Sequence, residues 1–125
     1  MNKSEFIAEV QKLNIVVTDK QMQQLDTYYK MLVEWNEKIN LTAITLEEEV
    51  YLKHFYDSLS LYKAYPLNNQ KLCDIGTGAG FPGIVLKIFF PSLQVTLVES
   101  LHKRCIFCLE VIKKLSLKDI VVVNE

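Results

Sequence analysis

The chain has 125 residues, half of them apolar, with a net charge of -1 and a pI near 6.1. That suffices for one domain with a core, or a small domain plus part of another, while the longest apolar runs are too short to span a bilayer. The balanced charge neither advertises nor excludes a nucleic-acid binder, since a local patch is enough. Three cysteines and no signal-like start point to a reducing, cytoplasmic setting.

Residues 2 to 13 place Phe6, Ile7, Val10 and Leu13 on one helical stripe. A second helix opens with Thr18 and Gln21 at capping-box spacing, and Val17 and Met22 stand at the spacing of a hydrophobic staple. Its stripe is Met22, Leu25, Tyr29 and Leu32, and Asn40 is the expected end. A third helix is expected from Thr45, capped by Glu48, with Leu52, Phe55, Leu59 and Tyr62 inward and Pro66 as its stop. Residues 1–66 therefore read as an N-terminal helical unit of three helices.

The polar turn Asn68-Asn69-Gln70 marks a boundary, and residues 67–125 read as a second, α/β unit. A strand is expected at 71 to 75 and a helix from Pro82 to Phe90. Val95, Leu97 and Val98 suggest a buried strand ending at Glu99. Residues 101 to 115 suggest a helix with Ile106, Leu109, Ile112 and Val111 or Leu115 inward, and Ile120 to Val123 a third strand. This alternation predicts a parallel sheet with right-handed crossovers. Such a sheet wants both faces covered, and the chain stops just after a strand, so the front part of a longer domain is expected.

Between the first strand and its helix lies Asp74-Ile75-Gly76-Thr77-Gly78-Ala79-Gly80-Phe81-Pro82-Gly83, which holds all four glycines of the chain. Gly78, Gly80 and Gly83 spell G-x-G-x-x-G, a weak signal alone. Its context adds weight: it joins a strand to a helix, and Glu99 stands 21 positions after Gly78 at the end of the next strand. A carboxylate there is placed to accept hydrogen bonds from two ribose hydroxyls; otherwise Glu99 is simply solvated. Asp74 discriminates between cofactors. A carboxylate beside this loop repels a dinucleotide's pyrophosphate, whereas S-adenosylmethionine brings an ammonium and no phosphate. Asp74 also suits a capping role on the loop's own amides, and both roles can coexist.

At these residues the chain resembles the RsmG (GidB) family of methyltransferases. The loop Asp74 to Gly83 is close to the family's own. Trp35-Asn36 with Asn40-Leu41-Thr42-Ala43 resembles its W-N-x-x-x-N-L-T segment. His54-x-x-Asp57-Ser58 resembles its H-x-x-D-S motif, and Glu99-Ser100-Leu101-x-Lys103-Arg104 its [DE]-S-x-x-K-R segment. The resemblance covers the whole chain. It implies the first half of a Rossmann-like class I methyltransferase sheet, with strand order beginning 3-2-1. It implies S-adenosylmethionine-dependent methylation of guanine N7 in bacterial 16S ribosomal RNA, with the RNA or the small ribosomal subunit as partner. Asp74, Gly76, Gly78, Gly80, Phe81 and Glu99 become the expected cofactor residues. Guanine N7 has a free lone pair, so alignment and desolvation suffice and no catalytic acid or base is named.

His54 and Asp57, three apart on a helix, suit an acid–base pair or a tie between helix and loop. With Lys103 and Arg104 they are the substrate-side candidates, and Lys53, His54, Lys103 and Arg104 suggest a phosphate-binding face. Cys105 and Cys108 form C-x-x-C but are expected to pack inward, and no metal is expected. Trp35 is the aromatic residue left open for base stacking. The alternative functions are a nicotinamide-dependent oxidoreductase domain and a non-catalytic nucleoside- or RNA-binding module. A longer parent is expected to be a monomer. In this chain the first strand is expected to have an open edge, with association or poor solubility as the consequence.

Overall fold

The computed structural model describes residues 1–125. Three helical stretches precede a parallel α/β unit. Helix α1 (Lys3–Gln11) is capped by Asn2, whose side chain accepts the Glu5 amide while the Glu5 carboxylate accepts the Asn2 amide. Helix α2 (Asp19–Asn36) has the expected reciprocal box between Thr18 and Gln21. It ends before the expected Asn40 because the Asn36 side chain accepts the amides of Leu41 (2.8 Å) and Thr42 (3.0 Å), turning the chain away.

The third stretch departs further from expectation. It begins with α3 (Glu47–Val50), and the box between Thr45 and Glu48 does not form; the cap position is Leu46. Thr45 instead gives its carbonyl to the Tyr29 hydroxyl at 2.7 Å. A π-helical turn (Tyr51–Tyr56) comes next, then α4 (Asp57–Leu59) and a 3-10 turn (Ser60–Lys63). A π turn takes up an extra residue and rotates the helical residues beyond it. The inward face is therefore Tyr51, Phe55 and Leu59, and Leu52, expected inside, is exposed.

Strands β1 (Lys71–Ile75), β2 (Gln94–Glu99) and β3 (Ile120–Asn124) pair in the order β1-β2-β3, all parallel, as the expected 3-2-1 arrangement requires. One face, with Asp74, Val95, Leu97, Glu99 and Ile120, is buried. On the other, Cys73, Thr96 and Val121 lie in register, as do Ile75, Val98 and Val123. That face is open: Ile75 is 78% and Val121 54% exposed. Val98 belongs to it and is only half-buried, against expectation. The outer edge of β1 pairs with no strand.

Helix α5 (Gly83–Phe89) is buried along its whole length. It packs on β1 and β2 from one side and on α2 and α4 from the other. One hydrophobic core therefore joins Phe6, Leu25 and Phe55 of the helices to Ile84, Leu97 and Phe107 of the α/β unit. Lys87 enters this core with its ammonium donating to the carbonyls of Pro91 and Leu93. Helix α6 (His102–Lys114) buries Cys105, Phe107, Cys108 and Val111. The expected Ile106 and Leu109 point outward and are partly exposed. Apolar residues nearly encircle this helix, so periodicity does not select one face.

Candidate active site

Strand β1 delivers Asp74 to the start of the glycine loop, and β2 delivers Glu99 beside it. Both carboxylates are buried. Asp74 Oδ2 accepts the Thr77 hydroxyl at 2.6 Å and the Gly83 amide at 3.0 Å, so it clamps both ends of the loop. Burial pushes its carboxyl above the ordinary value, a shift that these two hydrogen bonds partly oppose. Glu99 Oε1 accepts the Gly78 amide at 2.8 Å, and Oε2 the Leu101 amide at 2.9 Å. Burial raises its carboxyl too, but these amides and the Arg104 charge together outweigh it and hold the group below its ordinary value. Glu99 is thus a fixed anion with lone pairs to spare.

The four glycines divide into two pairs. Gly76 and Gly78 have φ of +71° and +60°, and a side chain built on either meets nothing within 4 Å. Gly80 and Gly83 face the protein. A Cβ at Gly80 falls 2.7 Å from the Tyr28 hydroxyl oxygen and closer still to Ile84 Cδ1; one at Gly83 collides with Leu97 Cδ2. Tyr28 donates its hydroxyl to the Ala79 carbonyl, pinning the loop from α2. Gly80 spends its amide on the Thr77 carbonyl and its own carbonyl on the Ile84 amide. Its place is inside the packing, whereas Gly76 and Gly78 border open space.

The second half of the loop is held by the π-helical turn. The His54 ring lies on the Phe81 ring with centroids 4.4 Å apart and planes 5° apart. Its Nε2 is 2.8 Å from Thr42 Oγ1, and Thr42 Oγ1 accepts the Ile44 amide. Burial lowers the His54 pKa, with Asp57 opposing, so the neutral ring is favoured. His54 therefore makes the tie between helix and loop. Asp57 lies one turn on with an exposed side chain that makes no hydrogen bond to the His54 ring; only its backbone amide donates to the His54 carbonyl. Both line a depression of about 330 Å³ that Phe81 and Pro82 close on one side.

Lys103 and Arg104 do not join that group. They line a separate depression of about 490 Å³ with Lys38 and Asn40. Arg104 donates to the Asn40 carbonyl from Nη2 (3.0 Å) and Nε (3.3 Å). The stretch from Asn36 to Thr42 thus touches α6 through Asn40 and the π turn through Thr42. Trp35 packs edge-on against Phe107 and is partly buried at the edge of the core. Cys105 and Cys108 point inward as expected; burial raises both thiols, Cys108 to about 12. Two loop supports, Tyr28 and Thr77, were not found from residue types. Thr77 had a signal, a hydroxyl three residues after a loop-edge Asp; Tyr28 had none.

This combination of glycine loop, Glu99 and helical tie has relatives. A family model described as rRNA small subunit methyltransferase G (GidB) matches residues 21–125. The chain belongs to that family. It is 52% identical over 122 residues to the ribosomal RNA small subunit methyltransferase G of Bacillus pumilus, covering 95% of this chain and 50% of the relative. The corresponding protein of Staphylococcus carnosus is 52% identical over 121 residues, covering 96% and 50%. The chain thus spans about half the length of the curated GidB relatives it matches. Among solved structures, a protein-L-isoaspartate O-methyltransferase aligns over 98% of this chain and 42% of its own, with TM-score 0.59 and 10% identity. A coclaurine N-methyltransferase bound to N-methylheliamine and SAH aligns over 99% and 40%, with TM-score 0.51 and 16% identity. A precorrin-6y C5,15-methyltransferase from Geobacter metallireducens aligns over 70% and 42%, with TM-score 0.52 and 20% identity. The family match and the curated relatives make this a GidB chain, and the solved structures share its α/β fold.

Proposed function

We propose that this chain carries the cofactor-binding part of a methyltransferase that uses S-adenosylmethionine to modify guanine N7 in 16S ribosomal RNA. One observation carries the reading: Gly76 and Gly78 leave open space beside the loop, and Glu99 is fixed at its rim by the Gly78 amide. The residues present fit the cofactor. Gly76 and Gly78 give its backbone-facing side room, Glu99 offers lone pairs to ribose hydroxyls, and Phe81 stands at the end of the loop. Asp74 supplies negative charge behind the loop for an ammonium, besides its clamp, and Gly80 acts through the packing that keeps the loop shaped. The bound cofactor supplies an electrophilic methyl group. The protein's own part is to orient the base, exclude water and leave the N7 lone pair free, so no side chain is assigned as acid or base.

The partner is the RNA or the small ribosomal subunit in the cytoplasm, and Lys103 and Arg104 are assigned to RNA phosphates. No helix is long and apolar enough to cross a membrane. Calorimetric titration with S-adenosylhomocysteine and with NAD separates this reading from an oxidoreductase: binding of the first alone is expected, and binding of NAD alone overturns it. Transfer of labelled methyl to small-subunit RNA, recovered as 7-methylguanosine, separates it from a non-catalytic binding module.

A further inference from the structure

Glu99 is held at its backbone as well as at its carboxylate. It is the last paired residue of β2, and its partner in register on β3 is Asn124. The Glu99 carbonyl accepts the Glu125 amide at 3.1 Å, which is the final backbone rung between the two strands. Beyond that rung β2 breaks away, and Ser100 and Leu101 turn the chain into α6.

Asn124 adds a side-chain rung past the end of the ladder. Its Nδ2 donates to the Glu99 carbonyl at 2.9 Å and to the Ser100 carbonyl at 3.0 Å. An amide nitrogen has two N–H groups, so each carbonyl takes one. The Cys105 thiol donates to the same Glu99 carbonyl from α6, at 3.3 Å. Asn124 therefore fixes the two peptide planes that follow the Glu99 Cα. Those planes set where the side chain starts, and the Gly78 and Leu101 amides on Oε1 and Oε2 set where it ends. The residue type matters. Asp at 124 keeps the shape but turns a carboxylate on two carbonyl oxygens, and Ala leaves both carbonyls to water.

We infer that Asn124 is a positioning residue for the ribose end of the cofactor: by bridging the Glu99 and Ser100 carbonyls it aims the Glu99 carboxylate. The inference rests on the S-adenosylmethionine reading and deepens it by giving β3 a part in the site. Asn124 acts through Glu99 and is assigned no contact with the cofactor.

The first measurement uses no ligand: hydrogen exchange of the Gly78 amide, followed by NMR in the full 125-residue chain. That amide is bound by the Glu99 carboxylate, so Asn124→Asp is expected to speed its exchange about tenfold and Asn124→Ala about fivefold. The Leu86 amide, inside α5, serves as control and is expected to exchange as in wild type. The second measurement is calorimetric titration with S-adenosylhomocysteine and with its 2′-deoxy analogue. Wild type is expected to prefer the ribose form about tenfold, the effect of one hydrogen bond to a charged group. In Asn124→Asp the preference is expected to fall to about twofold, and in Asn124→Ser, which keeps one donor, to lie between. A loss of stability alone weakens both ligands equally and leaves the preference unchanged.

A Gly78 amide that exchanges as slowly in Asn124→Asp as in wild type overturns the inference. So does a ribose preference that this variant keeps undiminished. Faster exchange at Gly78 in a chain that binds neither ligand rejects the S-adenosylmethionine reading and keeps Asn124 as the residue that aims Glu99.

Discussion

Gly76 and Gly78 on one side and Gly80 and Gly83 on the other occupy one loop and do opposite work. The first pair faces empty space, so what glycine contributes there is a left-handed backbone and an unobstructed approach. The second pair faces Tyr28, Ile84 and Leu97, so what glycine contributes there is the absence of a side chain inside a packed core. A motif read as a string of glycines merges an open surface with a packing joint. Only the direction in which each Cα would project a side chain separates them.

Alanine at each position tests that division. Gly80→Ala is expected to cost most, about 3 kcal/mol or more, because a backbone at φ +96° and a collision with Ile84 and Tyr28 act together. Gly83→Ala has a helical backbone and only the crowding against fully buried Leu97 and against Asp74, so about 2 kcal/mol is expected. Gly78→Ala should cost about 1 kcal/mol for the left-handed backbone alone. Its larger effect should fall on S-adenosylhomocysteine affinity, which is expected to drop tenfold or more. Urea unfolding and calorimetry read the two quantities separately. Were Gly78→Ala to unfold the chain as readily as Gly80→Ala, the division into open and packed glycines would be wrong.

The carboxylates that flank the loop sharpen the same contrast at smaller amplitude. Glu99 is held below its ordinary value of 4.5, so its stabilising contribution is complete above that pH and is lost as the pH falls through the folded value. Asp74 is held above its ordinary value, so its ionised form weakens the fold at neutral pH, and acidification relieves that weakness. Glu99→Gln should therefore flatten the acid limb of a stability profile taken between pH 7 and 3, and Asp74→Asn should steepen it. Parallel shifts from both variants would remove the assigned difference between them.

Much of this arrangement was legible in the residues. Thr18 and Gln21 announced α2, and the spacing from Gly78 to Glu99 announced two strand ends side by side, because both signals are local or set by regular crossover geometry. The failures share a cause as well. The π turn at Tyr51–Tyr56 goes with packing of Tyr51 edge-on against both Phe6 and Phe55, which no helical period records. Thr45 had the right chemistry for a cap, but the Tyr29 hydroxyl took its carbonyl and the helix began later. Lys103 and Arg104 were grouped with His54 by charge alone, whereas the Arg104 bond to Asn40 places them around a different hollow. Tyr28, the residue that pins the loop, sits 51 positions from its partner Ala79, a contact that only the fold creates.

Helix α5 has no face that meets water along any of its length. A helix of that kind cannot serve as the outer skin of a sheet; it is an inner layer that needs a coat of its own, and the coat here is the pair formed by α2 and α4. Melting the helical stretches uncovers Ile84, Ile88 and Phe89 in the same event. The glycine loop that leads into α5 consequently shares the fate of residues far upstream of it, and partial unfolding at the N-terminal side is expected to disorder the loop as well.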